Sequence, residues 1–171
     1  MPTTYTLIAS ANGSGSSGTV TFSSIPQTYT DLVLTASIRD AFNSDSLNNM
    51  YIRLNGSTTL DSITLMQGVG STAQSTDISG TGLGLWAPKI NTNQSTANTY
   101  STHEFYIPNY TASYNKIVSM SGVAPGASTS AYILAVAGLW RSTSAVTSIT
   151  LFSPNNITTL SSFYLYGIKN S

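Results

Sequence analysis

The sequence contains no cysteine and one histidine, and it is nearly without charge. Six residues are Lys or Arg and six are Asp or Glu, 7% of 171, where about 25% is ordinary for a soluble domain. Each shortage excludes something. Without cysteine there is no disulfide framework, no thiol nucleophile and no thiolate-bound metal. A single imidazole, His103, rules out any two-histidine metal site. Six scattered basic residues in a chain of zero net charge give no electrostatic footprint for a phosphate backbone, so nucleic acid is not an expected partner. The longest apolar run, residues 131–140, has ten residues, about half of a membrane span, so no membrane partner is expected. Met1-Pro2-Thr3-Thr4-Tyr5 has no basic flank and no apolar stretch after it, unlike a signal peptide.

What the chain does have is hydroxyl groups. Serine (28) and threonine (25) make up 31% of it, beside thirteen asparagines and ten tyrosines. Hydrophobic residues reach 40%, too many for a disordered tract, which also carries high net charge. A chain of this length buries roughly 70% of its unfolded surface, and no linker divides it. The expectation is one domain over residues 1–171.

Hydrophobicity alternates with period two almost throughout. Leu32, Leu34, Ala36 and Ile38 share one parity, as do Ile149 and Leu151, the pattern of a half-buried strand. Phe163, Leu165 and Gly167 alternate with Tyr164, Tyr166 and Ile168, so both faces there carry bulk. Shorter runs occur at residues 5–9, 19–22, 50–54, 63–66, 82–86, 100–107 and 116–120. Asn55-Gly56 predicts a hairpin after residues 51–54. Pro26, Pro108, Pro125 and Pro154 border strand-like segments, where a missing N–H does least harm. Residues 131–140 read as a fully buried central strand in preference to a helix, because they carry Gly138 and lie between Ser/Thr clusters. The fold class expected is all-β, an antiparallel, jelly-roll-like β-sandwich of about ten strands.

Candidate chemical motifs are few. Gly13-Ser14-Gly15-Ser16-Ser17-Gly18 matches the dinucleotide fingerprint in form, but a strand follows it where the fingerprint needs a helix N-terminus. It reads as a flexible hairpin connection. His103 and Glu104 fall on opposite faces of a strand and cannot converge on one ion. No G-x-S-x-G elbow accompanies the histidine. Glycosidase chemistry needs two converging acids, and Asp31, Asp40, Asp45, Asp61, Asp77 and Glu104 are dispersed. Asp31 sits at the entry to a strand, where a carboxylate bonds nearby N–H groups. Asp40 and Asp45, with Asn43, bracket a polar loop, but their spacing fits no calcium loop. The N-x-S/T triplets at Asn12, Asn55, Asn93, Asn109 and Asn156 are about as frequent as this composition produces by chance. Trp86, Trp140, Tyr100, Tyr106, Tyr110 and Tyr114 are the aromatics a sugar platform would use, although strands and protein interfaces use the same residues. No catalytic, cofactor-binding or metal-binding residue is assigned, and no cofactor is expected.

Four segments carry a resemblance. They are residues 22–32 (Phe22-Ser23-Ser24-Ile25-Pro26-Gln27-Thr28-Tyr29-Thr30-Asp31-Leu32), residues 104–110 (Glu104-Phe105-Tyr106-Ile107-Pro108-Asn109-Tyr110), residues 137–151 from Ala137-Gly138-Leu139-Trp140-Arg141, and the C-terminal Leu165-Tyr166-Gly167-Ile168-Lys169-Asn170-Ser171. Together they resemble a group of small virion structural proteins of tailed phages, many from marine or cyanobacterial hosts. The resemblance runs over nearly the whole chain and brings no catalytic residues with it. It implies a non-enzymatic virion protein, a capsid decoration or cement protein. The implied partners are further copies of the chain, as a trimer by analogy with other small phage surface proteins, and the major capsid protein. The alternative is a tail or head appendage module that binds host surface glycan.

Overall fold

The structure is a computed structural model that describes residues 4–59, 62–78, 82–127 and 131–169. Twelve strands form in chain order: β1 (Tyr5–Asn12), β2 (Thr19–Phe22), β3 (Asp31–Ile38), β4 (Leu47–Leu54), β5 (Ser62–Val69), β6 (Thr72–Ile78), β7 (Leu85–Asn91), β8 (Ser101–Ile107), β9 (Lys116–Ala124), β10 (Tyr132–Trp140), β11 (Ile149–Phe152) and β12 (Ser162–Ile168). They build an eight-stranded sheet, β1-β12-β3-β8-β9-β10-β5-β6, and a four-stranded sheet, β2-β11-β4-β7. The pairings between these strands are all antiparallel, with one isolated parallel bridge between Arg39 and Asn91, so the all-β sandwich is as expected.

Four pairings define the topology. β1 pairs with β12, β2 with β11, β3 with β8 and β4 with β7. The chain is thus a long ribbon paired first to last and rolled into two sheets, which is the jelly-roll arrangement. Two hairpins are inserted into that ribbon, β5–β6 between β4 and β7 and β9–β10 between β8 and β11. β9 adds to β8, β10 to β9 and β5 to β10, so both hairpins widen the same sheet.

The core lies between the sheets. Leu32, Leu34, Ala36 and Ile38 face Met50, Ile52, Leu54, Ile149 and Leu151 within one buried cluster, as their parity requires. Phe105, Val118, Met120, Leu134, Val136, Phe163 and Leu165 complete the inner face of the larger sheet. β7 packs over β8, β9, β10 and β5.

Five expectations are corrected. The described residues form twelve strands, because β6 forms although all its residues except Ile78 are exposed; a strand with no buried face carries no apolar alternation to read. The strand expected at 82–86 runs Leu85–Asn91 and contains Pro88, tolerated at a sheet edge beside the register shift between Asn48 and Met50. Asn55 and Gly56 do take positive φ values of 51° and 72°, and Ser57 N–H closes the turn on Leu54 O at 3.0 Å. No hairpin follows, however, since β4 and β5 belong to different sheets. Asn55 instead ties the turn to the segment before β11, its Oδ1 accepting from the N–H groups of Thr147 (2.8 Å) and Ser148 (3.1 Å). Residues 131–140 do form a strand, but with one face open: Leu134 and Val136 are buried while Ile133, Ala135 and Ala137 are exposed.

The glycine-rich segment 13–18 is not a hairpin either. It carries the chain from one sheet to the other alongside residues 153–161, where β11 passes to β12. Gly13 N–H donates to Ser161 O and Gly15 N–H to Ile157 O, both 2.9 Å, while Ser153 N–H donates to Gly18 O at 2.8 Å. A Cβ on Gly18 would stand 2.1 Å from Ser153 O and 2.6 Å from Asn155 O, both backbone atoms. Gly18→Ala is therefore expected to destabilise the fold by about 1–3 kcal/mol, as overpacking does. Urea unfolding measures this, and an unchanged midpoint would show that the two crossovers are not packed this closely.

Candidate functional site

Because the four-stranded sheet covers the larger sheet on one side only, the other face of the larger sheet is open. Its side chains follow from the register. One row across it runs Tyr164, Thr35, Glu104, Ser121, Ala135, Met66, Ser75, and the row beside it Ser162, Ser37, Thr102, Val123, Ile133, Gly68, Ala73. A third row runs Tyr166, Val33, Tyr106, Ser119, Ala137, Thr64, Asp77. The three rows hold two charges, Glu104 and Asp77, and the Asp77 carboxylate accepts a 2.7 Å hydrogen bond from Thr64 Oγ1.

Small and large residues alternate over this face, which makes it hollow. Ile133, 63% exposed, stands as a ridge between two depressions. One, of about 480 Å³, is lined by Met66, Gly68, Ala73, Ser75 and Ala135. The other, of about 390 Å³, lies over Thr35, Thr102, Glu104, Ser121, Val123 and Ala135. A smaller hollow of about 210 Å³ continues past Thr35 and Thr102 to Tyr164. Met66 is 65% exposed and Val123 46%, so the apolar side chains are presented outward. At the β1 edge the same face carries exposed Tyr5, Leu7 and Tyr164, with Tyr5 set edge-on to Tyr166 at 6.3 Å. Such a neutral, hydroxyl-rich, partly apolar relief suits burial against another protein.

Of the residues singled out from sequence, Glu104, Tyr106 and Asp77 lie in these rows, while His103 does not. His103 and Glu104 do take opposite sides of β8: Glu104 is exposed and His103 fully buried. Burial pushes the His103 pKa down to about 3. Ser101 Oγ donates to Ile38 O at 2.8 Å, so at its 2.8 Å contact with His103 Nε2 it is the acceptor and Nε2 is assigned the proton. Nδ1 has no hydrogen-bond partner among the described residues.

The carboxylates are separately occupied. Asp31 accepts from Tyr106 OH (2.9 Å) and Asn109 N–H (2.8 Å), a bond that raises the Tyr106 pKa. Asp40, fully buried, accepts from Phe42 N–H, Asn48 Nδ2 and Ser153 Oγ. Asp45 accepts from Ser46 N–H, and Asp61 lies outside the described residues. No three His, Asp or Glu residues gather to hold a metal among the described residues.

Of the six aromatics a sugar platform would use, three are buried and Tyr114 is 51% exposed. Trp86, Trp140 and Tyr110 are core residues, at 7%, 8% and 0% exposure, and the Tyr110 hydroxyl donates to Pro26 O. Sequence reading missed Ile133 and Met66, which stand out on the open face, because nothing local says which face of β5 and β10 is covered. No family model, curated protein or solved structure matches the chain.

Proposed function

We propose that this chain is a non-enzymatic structural protein of a tailed-phage virion, decorating or cementing the outside of the capsid as a homo-oligomer seated on the major capsid protein. One observation carries the assembly part of this reading: the hollowed outer face around Ile133, which is neutral, partly apolar and open. Contacts made by such a surface do not depend on charge pairs and are hardly screened by salt, which suits a particle exposed to saline media. The resemblance of the four sequence segments supports the phage assignment, and a jelly roll is an architecture shared by capsid proteins.

Two measurements test it. Quantitative mass spectrometry of purified particles is expected to find the protein at a copy number comparable to that of the shell protein; absence, or a handful of copies, ends the decoration reading. Ile133→Asp places a charge on an exposed ridge without touching the core, so the variant is expected to fold normally and to lose incorporation into particles. Full incorporation of the variant would remove the outer face from the assembly. A second reading is favoured by one feature, the exposed Tyr5 and Tyr164 with half-buried Tyr166 at the β1 edge: an appendage module binding host glycan. Few copies per particle, with glycan binding abolished by Tyr164→Ala, would select it.

A further inference from the structure

In the described residues the two sheets end in four edge strands: β1 and β6 of the larger sheet, β2 and β7 of the smaller. An edge strand exposes a row of unpaired N–H and C=O groups, and folded proteins blunt it with bulges, proline, lysine or shortness. Three of these edges are blunted. β1 shifts register between Leu7 and Ala9. β2 has four residues. β7 carries Pro88 and Lys89 and lies against a second register shift. β6 has none of these devices. It runs seven residues in unbroken register with β5, and its single charge, Asp77, is bonded to Thr64.

We infer that β6 is where a second copy of this chain pairs, antiparallel, about a twofold axis at Ser75, joining the two larger sheets into one. The backbone sets the register. Val69 and Thr72 flank a two-residue turn whose first residue, Gly70, has a φ of 56°, the position glycine takes in a hairpin turn. The pair closing such a turn is hydrogen-bonded, so Thr72, Gln74, Thr76 and Ile78 direct their N–H and C=O groups to β5. Those of Ala73, Ser75 and Asp77 point outward. Centred on Ser75, two copies oppose Ser75 to Ser75 and Ala73 to Asp77, and all three outward residues find bonded partners. In this register Asp77 never meets Asp77, which would be destabilising. On the other face Gln74 meets Thr76. A net charge of zero leaves no long-range repulsion between copies.

A twofold axis normal to the sheet keeps both outer faces on one side, so the hollows beside Met66 and Ala73 of the two copies adjoin. The contact is isologous and adds a twofold to whatever ring the outer face builds. It rests on the assembly reading for its purpose but not for its geometry.

The test uses Ser75→Pro and Ser75→Lys in the full chain. The Ser75 N–H faces outward, so proline takes no bond from β5, and lysine sets two like charges on the axis. Sedimentation equilibrium of the wild type is expected to give an even multiple of 18.0 kDa, with the twofold contact weakened about tenfold or more in both variants. Amide exchange is expected to show Ala73, Ser75 and Asp77 protected in the wild type, with the remaining protected groups among these deprotected in the variants. Gln74 and Thr76 should stay protected throughout. A wild type whose residue 73, 75 and 77 amides exchange freely, or an oligomer that survives both variants, overturns the contact. If Ile133→Asp abolishes association and the Ser75 variants do not, the β6 contact fails while the assembly reading stands. If the Ser75 variants dissociate the wild-type oligomer but particles contain none of the protein, the contact stands and the particle reading fails.

Discussion

Arg39→Met is expected to release residues 92–99 from the body of the protein and to cost about 3–5 kcal/mol, in the range seen when a buried polar network loses a central member. Arg39 follows β3 directly and is 9% exposed, yet its guanidinium is held by backbone carbonyls. Nη1 donates to Thr96 O and Thr99 O, both at 2.9 Å, and Nη2 to Ser95 O at 3.2 Å and Asn93 O at 3.4 Å. The loop is wrapped so that four carbonyl dipoles converge on one cation. Its own backbone is fixed too: Arg39 N–H donates to Ser161 Oγ, and Ser161 Oγ donates to Arg39 O, each at 3.1 Å.

Methionine preserves most of the aliphatic stem but no donor, and each carbonyl left buried without a partner costs about 1–3 kcal/mol. Lysine should recover only part of the loss, because a point ammonium cannot span carbonyls that a planar fork reaches from two nitrogens. Denaturant unfolding gives the energy. Amide exchange at Ser95 and Thr96, whose N–H groups bond Thr92 O and Gly126 O, gives the location. A variant within about 1 kcal/mol of the wild type, with those amides still protected, would show that the loop holds itself.

The sequence made the local rules visible and hid the partners. The alternation of Leu32, Leu34, Ala36 and Ile38 predicts a half-buried strand because period two is intrinsic to the pleat, and that strand is there. Asn55-Gly56 predicts a turn for an equally local reason, positive φ. That the chain then changes sheets depends on β11, some ninety residues later, and no local signal carries it. Residues 131–140 look fully buried because alanine, isoleucine and valine occupy both parities. Which parity is covered depends on the smaller sheet having four strands and the larger eight. The candidate site was illegible for the same reason, since Ile133 and Met66 are ordinary strand residues until one knows that no described element packs over them. β6, with six of its seven residues exposed, lacked the one signature by which strands are found.

His103→Gln is expected to flatten the acid limb of the stability curve. His103 is fully buried between the sheets, and burial lowers its pKa from 6.5 to about 3. The folded chain therefore binds fewer protons than the unfolded chain between those values. Stability then rises with pH through that window, is level above about 6.5, and is lost progressively as the pH falls below it. One displaced proton is worth 1.36 kcal/mol per pH unit, so the histidine removes about 2 kcal/mol by pH 5 and about 4–5 kcal/mol by pH 3. The geometry gives the cause. Nε2–H has an acceptor in Ser101 Oγ, but a proton on Nδ1 would find no acceptor among the described residues, with Nδ1 turned toward Gly122, where a built Cβ would stand 2.5 Å from it. Glutamine places an amide N–H where Nε2–H stands, so the Ser101 bond survives while the titration disappears. Asp31 and Asp40 are present in both proteins, and the difference between the two curves isolates the imidazole. Urea unfolding at pH 7, 6, 5 and 4 should show that difference widening steadily below pH 6.5. Parallel curves would mean that the imidazole takes up its proton without leaving the fold, and that the pocket beside Gly122 holds an acceptor.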